Sequence, residues 1–580
     1  MAFLVSPGVN TSEIDLTTSV PAVGTSTGAT VGVFRWGPAN TVIQVSSESD
    51  LAQKFFAPDS NTAGSFIAAA NFLAYGNDLR VVRVINPTAS ANASNNAVSN
   101  TSHYATIPND ESYFNTQYAS SNTVVQWAAR YPGVIGNSLK ISVCSEETSF
   151  ANWAYSSYFD AAPNTSNYAA ATTGNANLKD EVHVIVVDED GLLTGTANTV
   201  LERWANLSKA SDARGDDGST IYYKEVVYRN SEWIHWIGHA AGSNATNAWG
   251  QTVATVNASG DKFHQPAVVN YSLTNGADGS VKQSDMVSAI DLFDNKEKID
   301  ISLLFAGDCG FGANAAINPV TVSNEYLTVA ASRKDCVAFV SPAYANVVGS
   351  LASVSAVVSH RNALTDTSYG VMDSGWKYQY DKYNDVYRWV PLNADIAGLC
   401  VRTDLQRDPW FSPAGLNRGQ IRNLVKLALN PTQSERDTLY KAGVNPVVSF
   451  PGEGTVLFGD KTLQGRPSAF DRINVRRLFI VLEKAISVAA RSSLFEFNDE
   501  FTRSQFVALV EPFLRDVQGR RGIFDFRVVC DTTNNTPEVI DRNEFIGDIY
   551  IKPARSINFI QLNFIAVRTG VAFEEVIGKF

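Results

Sequence analysis

From Ile473 to Leu494 the apolar residues Val475, Leu478, Phe479, Leu482, Ile486 and Ala489 recur at steps of three and four. That spacing puts them on one face of an amphipathic helix, with Arg472, Arg476, Arg477, Glu483, Lys484 and Arg491 falling mainly elsewhere. A second helix is predicted from Thr502, where Thr502 and Gln505 have capping-box spacing. Pro512 inside it predicts a kink, because proline gives no N–H to the ladder. The period then changes to two, predicting strands at Ile523–Cys530, Phe545–Lys552 and Ser556–Val567. In the last, Ile560, Leu562, Phe564 and Ala566 point one way and Ile557, Phe559, Ile565 and Val567 the other, a strand covered on both faces. Alternation continues to the end, Val571, Phe573, Glu575 and Ile577 against Ala572, Glu574 and Val576.

The first 22 residues read as an arm. Phe3 and Val5 alternate with Leu4, Pro7-Gly8 breaks the run, and Val9 precedes a Thr/Ser-rich stretch too polar to form a core. Globular patterning starts at Val23. A strand in "ATVGVFRWGPAN" closes on Gly37-Pro38, a helix spans Ser65–Tyr75 with Gly76 ending it, and Leu79–Ile85 is a strand. Residues 86–180 are dominated by Asn, Ser, Thr and Ala, with short strands at Thr123–Ala128 and Leu139–Val143. Trp127, Tyr131 and Trp153 need somewhere to pack, so this region reads as an inserted β-rich domain with polar loops.

Beyond it, Glu181–Val187 is predicted as a strand, Ala197–Lys209 as a helix, Met286–Phe293 as a helix, Ile299–Phe305 as a strand, Val322–Ser332 as a helix and Cys336–Val340 as a strand. The alternation argues for an α/β layer with a partly parallel sheet. Trp376–Val390 reads as an aromatic hairpin about Asn384-Asp385. Asn393–Thr403 is predicted helical. Thr432 with Glu435 forms a second capping box, on a helix ended by Gly443. The expected division is an N-terminal arm (1–22), a central α/β domain (23–85 and 181–390), an inserted β-rich outer domain (86–180), a C-terminal α+β domain (391–568) and a C-terminal arm (569–580).

Composition narrows the function. The 580 residues suffice for roughly four domains. The net charge of −12 argues against coating DNA or anionic lipid by bulk charge, although Arg520 and Arg521 form a local basic pair. Cys144, Cys309, Cys336, Cys400 and Cys530 are scattered and odd in number, with no C-x-x-C, which speaks against a disulfide framework or a zinc knuckle. The N-terminus lacks a signal-peptide pattern, and no apolar run reaches bilayer length, so no direct membrane insertion is expected.

Candidate chemistry is sparse. His235 and His239 have metal-ligand spacing but no Glu follows His235, and the stretch reads equally as a strand. Asp188, Asp190 and Gly191 echo the start of a calcium loop without its later acidic positions. The glycine-rich "GDCGFG" and "PGEGTVLFG" lack the Lys-Ser/Thr of a phosphate-cradling loop. No catalytic, cofactor-binding or metal site is assigned.

"FDRINVRRLFIVLEKAISVAARSSLFEFNDEFTRSQFVALVEPFLRDVQGRRGIFDFRVVCD", followed by "GDIYIKPARSINFIQLNFIAV", resembles the C-terminal domain of contractile phage tail sheath proteins. "SPGVNTSE" near the start, the Gly37-Pro38 turn, and the series "NADIAGLCVRT", "WFSPAGLNRGQI" and "GVNPVVSFPGEG" resemble the same family in composition and order. The resemblance implies a central domain of subtilisin-like fold. Asp373-Ser374-Gly375 and "GTSTG" around Ser26 echo that protease's motifs. The order Ser26, His239, Asp373 and the position of Ser26 before a strand exclude a triad. It further implies a virion protein, assembled in the host cytoplasm, that forms stacked six-fold rings and a helical lattice around an inner tail tube, with baseplate and tail terminator proteins as partners and no nucleic acid. Contraction would drive the tube through the host envelope. Phe3, Val5 and Val9 in one arm and Val571, Phe573, Val576 and Ile577 in the other are the expected inter-subunit strands; Arg520 and Arg521 are the candidate tube-facing residues. The sheath of a bacterial contractile injection device is the alternative of the same class. An α/β enzyme, for want of a catalytic set, and a soluble binding module are the alternatives of other classes.

Overall fold

The computed structural model describes residues 24–95, 106–119, 125–239, 248–308, 317–558 and 561. The chain divides into two compact units, one of residues 22–409 with 413–476, the other of residues 410–412 with the chain from Arg477 onward.

In the first unit, β1 (Gly28–Gly32), β2 (Val42–Val45), β3 (Leu79–Arg83), β4 (Leu303–Phe305), β5 (Val337–Val340) and β6 (Gly370–Met372) form a sheet in the order β6-β5-β4-β1-β3-β2. Every pairing is parallel except that of β2 with β3. β1, β4, β5 and β6 are buried along their whole length, which is why they read as short unbroken runs of apolar and small residues. Helix Pro319–Arg333 lays Val322, Tyr326, Leu327 and Ala330 into the same core as Val31, Leu304, Ala338 and Met372. Its start is fixed by Asn318, whose side chain accepts from Val320 N, and by Pro319 in the first turn, where the missing N–H costs nothing. Helices α1 (Ala63–Leu73) and α2 (Asn393–Gln406) pack together. α2 is nearly all buried, and its Gly398 lies so close to Tyr75 that a Cβ there would sit 2.4 Å from the ring. This close approach is the physical reason for the Ala-Gly composition of the helix.

The polar stretch after β3 enters a second, antiparallel sheet of four strands, Thr199–Ser208, Glu181–Asp188, Leu139–Cys144 and Val269–Ser272 in that order. Two expectations change here. Glu181–Asp188 does not join the parallel sheet, so residue 180 is not where the two sheets divide. Thr199–Ser208 is a strand, not the predicted helix; its apolar residues suit either period, and the long-range partners Val184, Ile185 and Val186 decide the matter. Trp127 and Trp153 are buried as their bulk requires. Buried Arg83 donates to the carbonyls of Phe34, Gly37 and Pro132, joining the end of β3 to the loops on either side. Burial pushes its guanidinium down to about 10.

Strands β7 (Trp376–Asp381) and β8 (Val386–Pro391) form the expected hairpin, with Asp385 in the left-handed region at φ +52°. Lys377 Nζ and Asp395 Oδ1, both buried, pair at 2.8 Å, and Tyr75 OH donates to the same oxygen at 3.2 Å. The predicted capping box forms at Thr432 and Glu435.

In the second unit, the helix that begins at Ile473, α3 (Ile473–Ala490), gives way to a 3-10 turn at Arg491–Ser493, short of the predicted Leu494. α4 (Glu500–Gly519) is capped by Asp499, whose side chain accepts from Thr502 N at 2.8 Å, not by Thr502 itself. α4 runs through Pro512 as one helix. Pro512 and Ala508, whose carbonyl loses its N–H partner, both lie on the exposed side of the helix. Phe506, Val510, Leu514 and Val517 keep the opposite face buried against Leu478, Leu482 and Trp410. β9 (Ile523–Val529) and β10 (Asp548–Pro553) complete the unit as an antiparallel pair. Of the third predicted strand, residues 556–558 are not in a strand; the rest, apart from Gln561, lies outside the described residues.

Candidate assembly surface

The second unit is small, yet it carries many of the large exposed apolar side chains: Leu494, Phe495, Phe497, Phe501, Phe524, Tyr550 and Ile557. Surface of this kind marks a contact site. Leu494, Phe495 and Phe497 fall in the link between α3 and α4 and Phe501 in the first turn of α4, the run "LFEFNDEF", interleaved with Glu496, Asp499 and Glu500. The link is pinned at its centre. Asn498 Nδ2 donates to Glu544 O at 2.8 Å and to Asn535 Oδ1 at 3.3 Å, and Arg503 donates to Asn498 Oδ1 at 2.8 Å. Asn535 in turn bonds the backbone of Ile546 in both directions. Phe495 sits at φ +70°, a conformation costly for a bulky residue. A rigid, strained knuckle thus presents phenylalanines to solvent, Phe497 at 84% and Phe501 at 75% exposure.

At the far end of α4 the chain turns through Gly519, Arg520, Arg521 and Gly522. Gly522 N donates to Val517 O at 2.9 Å and Arg521 N to Gln518 O at 3.0 Å, the two bonds of a Schellman termination. The position that normally takes glycine is Arg521, at φ +65° and exposed. Gly522 is required for space, since a Cβ there would lie 2.7 Å from Val517 and 3.1 Å from the Trp410 ring. Arg520 is anchored: its guanidinium lies 5.2 Å from the centre of the Trp410 ring, and its carbonyl accepts from Trp410 Nε1 at 3.2 Å. Of the two arginines read from the sequence, Arg520 is tethered and Arg521 is exposed, with no side-chain hydrogen bond or ion pair among the described residues.

β9 and β10 pair only with each other among the described residues. Phe526, Val528, Ile549 and Ile551 face the helices. The register pairs Arg527 with Tyr550 and Asp525 with Lys552 on the opposite, solvent face. The expected arm residues Phe3, Val5, Val9, Val571, Phe573, Val576 and Ile577 lie outside the described residues.

The other residues considered from sequence are dispersed. His235 is buried in strand Ile234–Trp236 and stacked on Tyr113, ring centres 4.0 Å apart. His239 Nδ1 bonds Tyr223 OH at 2.7 Å. Asp188 accepts from Ser138, Leu193 and Thr194, which organises a loop. Asp373 is bonded to Ser341 Oγ at 2.6 Å and Gly375 N at 2.8 Å, and burial pushes its carboxyl up to about 8. Among the described residues no three His, Cys, Asp or Glu side chains gather as metal ligands would.

Three family descriptions match in series. The phage tail sheath C-terminal domain matches residues 466–566, the phage tail sheath protein central domain residues 280–463, and the tail sheath protein Gp18 domain III N-terminal region residues 25–84. The tail sheath protein of Vibrio phage KVP40 is 36% identical over 99% of this chain and 100% of its own length. That of Enterobacteria phage T4 is 34% identical over 99% of each. The chain belongs to the phage tail sheath protein family. The crystallised sheath tail protein of Listeria innocua shares the fold at a TM-score of 0.51 and 11% identity, over 92% of this chain and 96% of that one. The sheath tail protein of Desulfitobacterium hafniense does so at 0.50 and 11%, over 94% and 100%. The three matched segments skip residues 85–279, which hold the second sheet, and the C-terminal sheath domain covers the whole described knuckle, turn and β9–β10 pair. Sequence reasoning found that turn but missed the knuckle. Its signal was present as four apolar residues among three acids, off the helical period, between two predicted helices.

Proposed function

We propose that this chain assembles as stacked six-fold rings in a helical sheath around an inner tail tube, and that the sheath shortens to drive the tube through the host envelope. The observation that carries this reading is the β9–β10 pair. A two-stranded sheet whose strands pair only with each other among the described residues, in the unit with the denser exposed apolar surface, is a template for strands from other copies. The N- and C-terminal arms, 1–22 and 569–580, supply those strands. Twelve extended residues reach about 40 Å, enough to leave one copy and pair with the next. Main-chain pairing of this kind tethers subunits while their other interfaces repack. Head-to-tail interfaces propagate as a helix and do not close as a dimer.

Arg520 and Arg521 face the tube in this proposal. An arginine kept where glycine is easier supports that role, because its side chain and not its backbone justifies the residue. The region from 86 to 180, extended by the second sheet to about residue 279, forms an outer layer. Its absence from the three matched segments supports that placement. Assembly takes place in the host cytoplasm, with baseplate and tail terminator proteins at the two ends.

Electron microscopy of the purified chain with residues 569–580 removed tests the tether. A folded monomer that forms no stable tubes is expected. Normal tubes would end the tether proposal, and an unfolded product would assign the tail to its own sheet. Reversal of both Arg520 and Arg521 to Glu should weaken coating of tail tubes; unchanged coating across a salt series removes them from the tube face.

A further inference from the structure

Trp410 stands far in sequence from most of the unit it packs in. Residues 410–412 belong to the second unit, while the chain on both sides of them belongs to the first. Pro409 and Pro413 flank these three residues. Each proline fixes its own φ and keeps the residue before it, Asp408 or Ser412, out of the helical region. The segment is therefore a short, stiff strap. Its Trp410 is buried in one core with Leu478, Leu482, Leu514, Val517 and Ile523.

We infer that Trp410 is a positioning residue: its indole sets where Arg520 presents its guanidinium to a carboxylate of the inner tail tube. The inference rests on the tube-facing reading above and deepens it, naming what holds the arginine and which group it meets.

Core packing accounts for the bulk of Trp410, and a phenylalanine or leucine could fill much of the same space. It does not account for the way the indole holds Arg520 at both ends. Trp410 Nε1 donates to Arg520 O at 3.2 Å, across 110 residues of sequence, and so fixes the backbone of the turn. The ring centre lies 5.2 Å from the guanidinium and so fixes the far end of the side chain. Among apolar side chains only tryptophan offers a ring to the one and an N–H donor to the other. The turn is also shaped to the indole, because Gly522 leaves no room for a Cβ beside it. Arg520 N, donating to Asp516 O at 2.9 Å, ties the residue to the last turn of α4 as well.

Held in this way, the Arg520 side chain still stays 52% exposed. The group is ordered without being hidden. Much of the rotamer freedom that a surface arginine loses on binding is already lost on folding, which lowers the entropy cost of docking. Asp516 Oδ2 lies 3.6 Å from Arg520 Nη1 and is itself exposed, and an exposed pair at that distance is weak. A partner carboxylate gains more, since the guanidinium fork can give it two parallel N–H bonds. Arg521 beside it adds a second cation, so the matching surface is acidic.

The experiment measures the concentration of full chain that half-coats purified inner tail tubes, by sedimentation with electron microscopy of the pellets. The parent is compared with R520A, W410F and W410F/R520A. The parent should coat tubes; if it does not, the sheath reading itself fails. R520A should raise the required concentration about tenfold, and W410F, which keeps a ring but loses the N–H, about fivefold. The double variant should need no more than R520A, because Trp410 acts on coating through Arg520, whereas a merely structural tryptophan would multiply its effect with that of the arginine. Hydrogen exchange of each unassembled chain checks that the second unit is folded. If W410F is unfolded, benzothienylalanine at position 410, which exchanges the indole N–H for sulfur at nearly constant shape, takes its place with the same fivefold expectation. Parent-like coating by R520A removes Arg520 from the tube face and the inference with it. A loss in R520A with parent-like coating by W410F, or a double variant in which the two losses multiply, overturns the positioning role and leaves the tube-facing reading in place.

Discussion

Replacement of Arg521 by glycine should make the C-terminal unit more stable and the sheath worse. Arg521 occupies the left-handed position of the Schellman turn that ends α4, at φ +65°, with no side-chain hydrogen bond or ion pair to a described residue. A residue with a Cβ pays about 1–2 kcal/mol for that conformation. Glycine relieves this but adds about 0.4–1 kcal/mol of unfolded-state entropy, so the net gain is on the order of 0.5–1 kcal/mol. The gain is local and should appear as hydrogen exchange slowed about 2–5-fold at the amides of the turn, residues 517–523, in the unassembled chain. Arg521→Ala is the control: it removes the charge and keeps the strain, so its exchange should match that of the parent. Both variants should coat tail tubes less well. If glycine proves less stable than arginine, the side chain makes a contact within the monomer and the argument from strain is wrong. If both variants coat tubes normally, the arginine is not retained for its charge.

Three further outcomes test the physical account. Asp395→Ala should destabilise the first unit by about 3–5 kcal/mol, because it leaves the Lys377 ammonium buried with the Arg422 carbonyl as its remaining partner; a urea midpoint near that of the parent would refute the pairing. Burial pushes the Glu202 carboxyl up to about 7 from 4.5, so its contribution is fully present below about 4.5 and is lost as pH rises through about 7; Glu202→Gln should therefore gain stability over the parent at pH 8, by about 2 kcal/mol, and not at pH 4, and an equal shift at both would deny the burial effect. Thr432→Ala removes half of a capping box and should cost about 1 kcal/mol, read as a lowered urea midpoint, with Thr432→Ser close to neutral.

Wherever one period ran unopposed, the chain was legible. The α3 stripe from Val475 to Ala489, the Trp376–Val390 hairpin, the Thr432–Glu435 box and the buried parallel strands β1, β4 and β5 all follow from local pattern, because side-chain spacing and turn chemistry are fixed within a few residues. Ordered motifs near the start of the chain and from Asn393 onward were enough to point to the sheath family. Non-local partners settled the remainder. Thr199–Ser208 is a strand because Glu181–Asp188 lies beside it, and that pairing, not composition, moved residues beyond 180 into the second sheet. Pro512 lies inside α4 on its exposed side, a fact of burial that spacing alone does not reveal. Asp499 displaced Thr502 as the cap because the pinned Asn498 sets where the helix begins. The phenylalanine knuckle and the left-handed arginine are the furthest from local sequence logic: each violates what its own residue type prefers, exposure for Phe497 and positive φ for Arg521, and such violations become visible only in the folded surroundings of each residue.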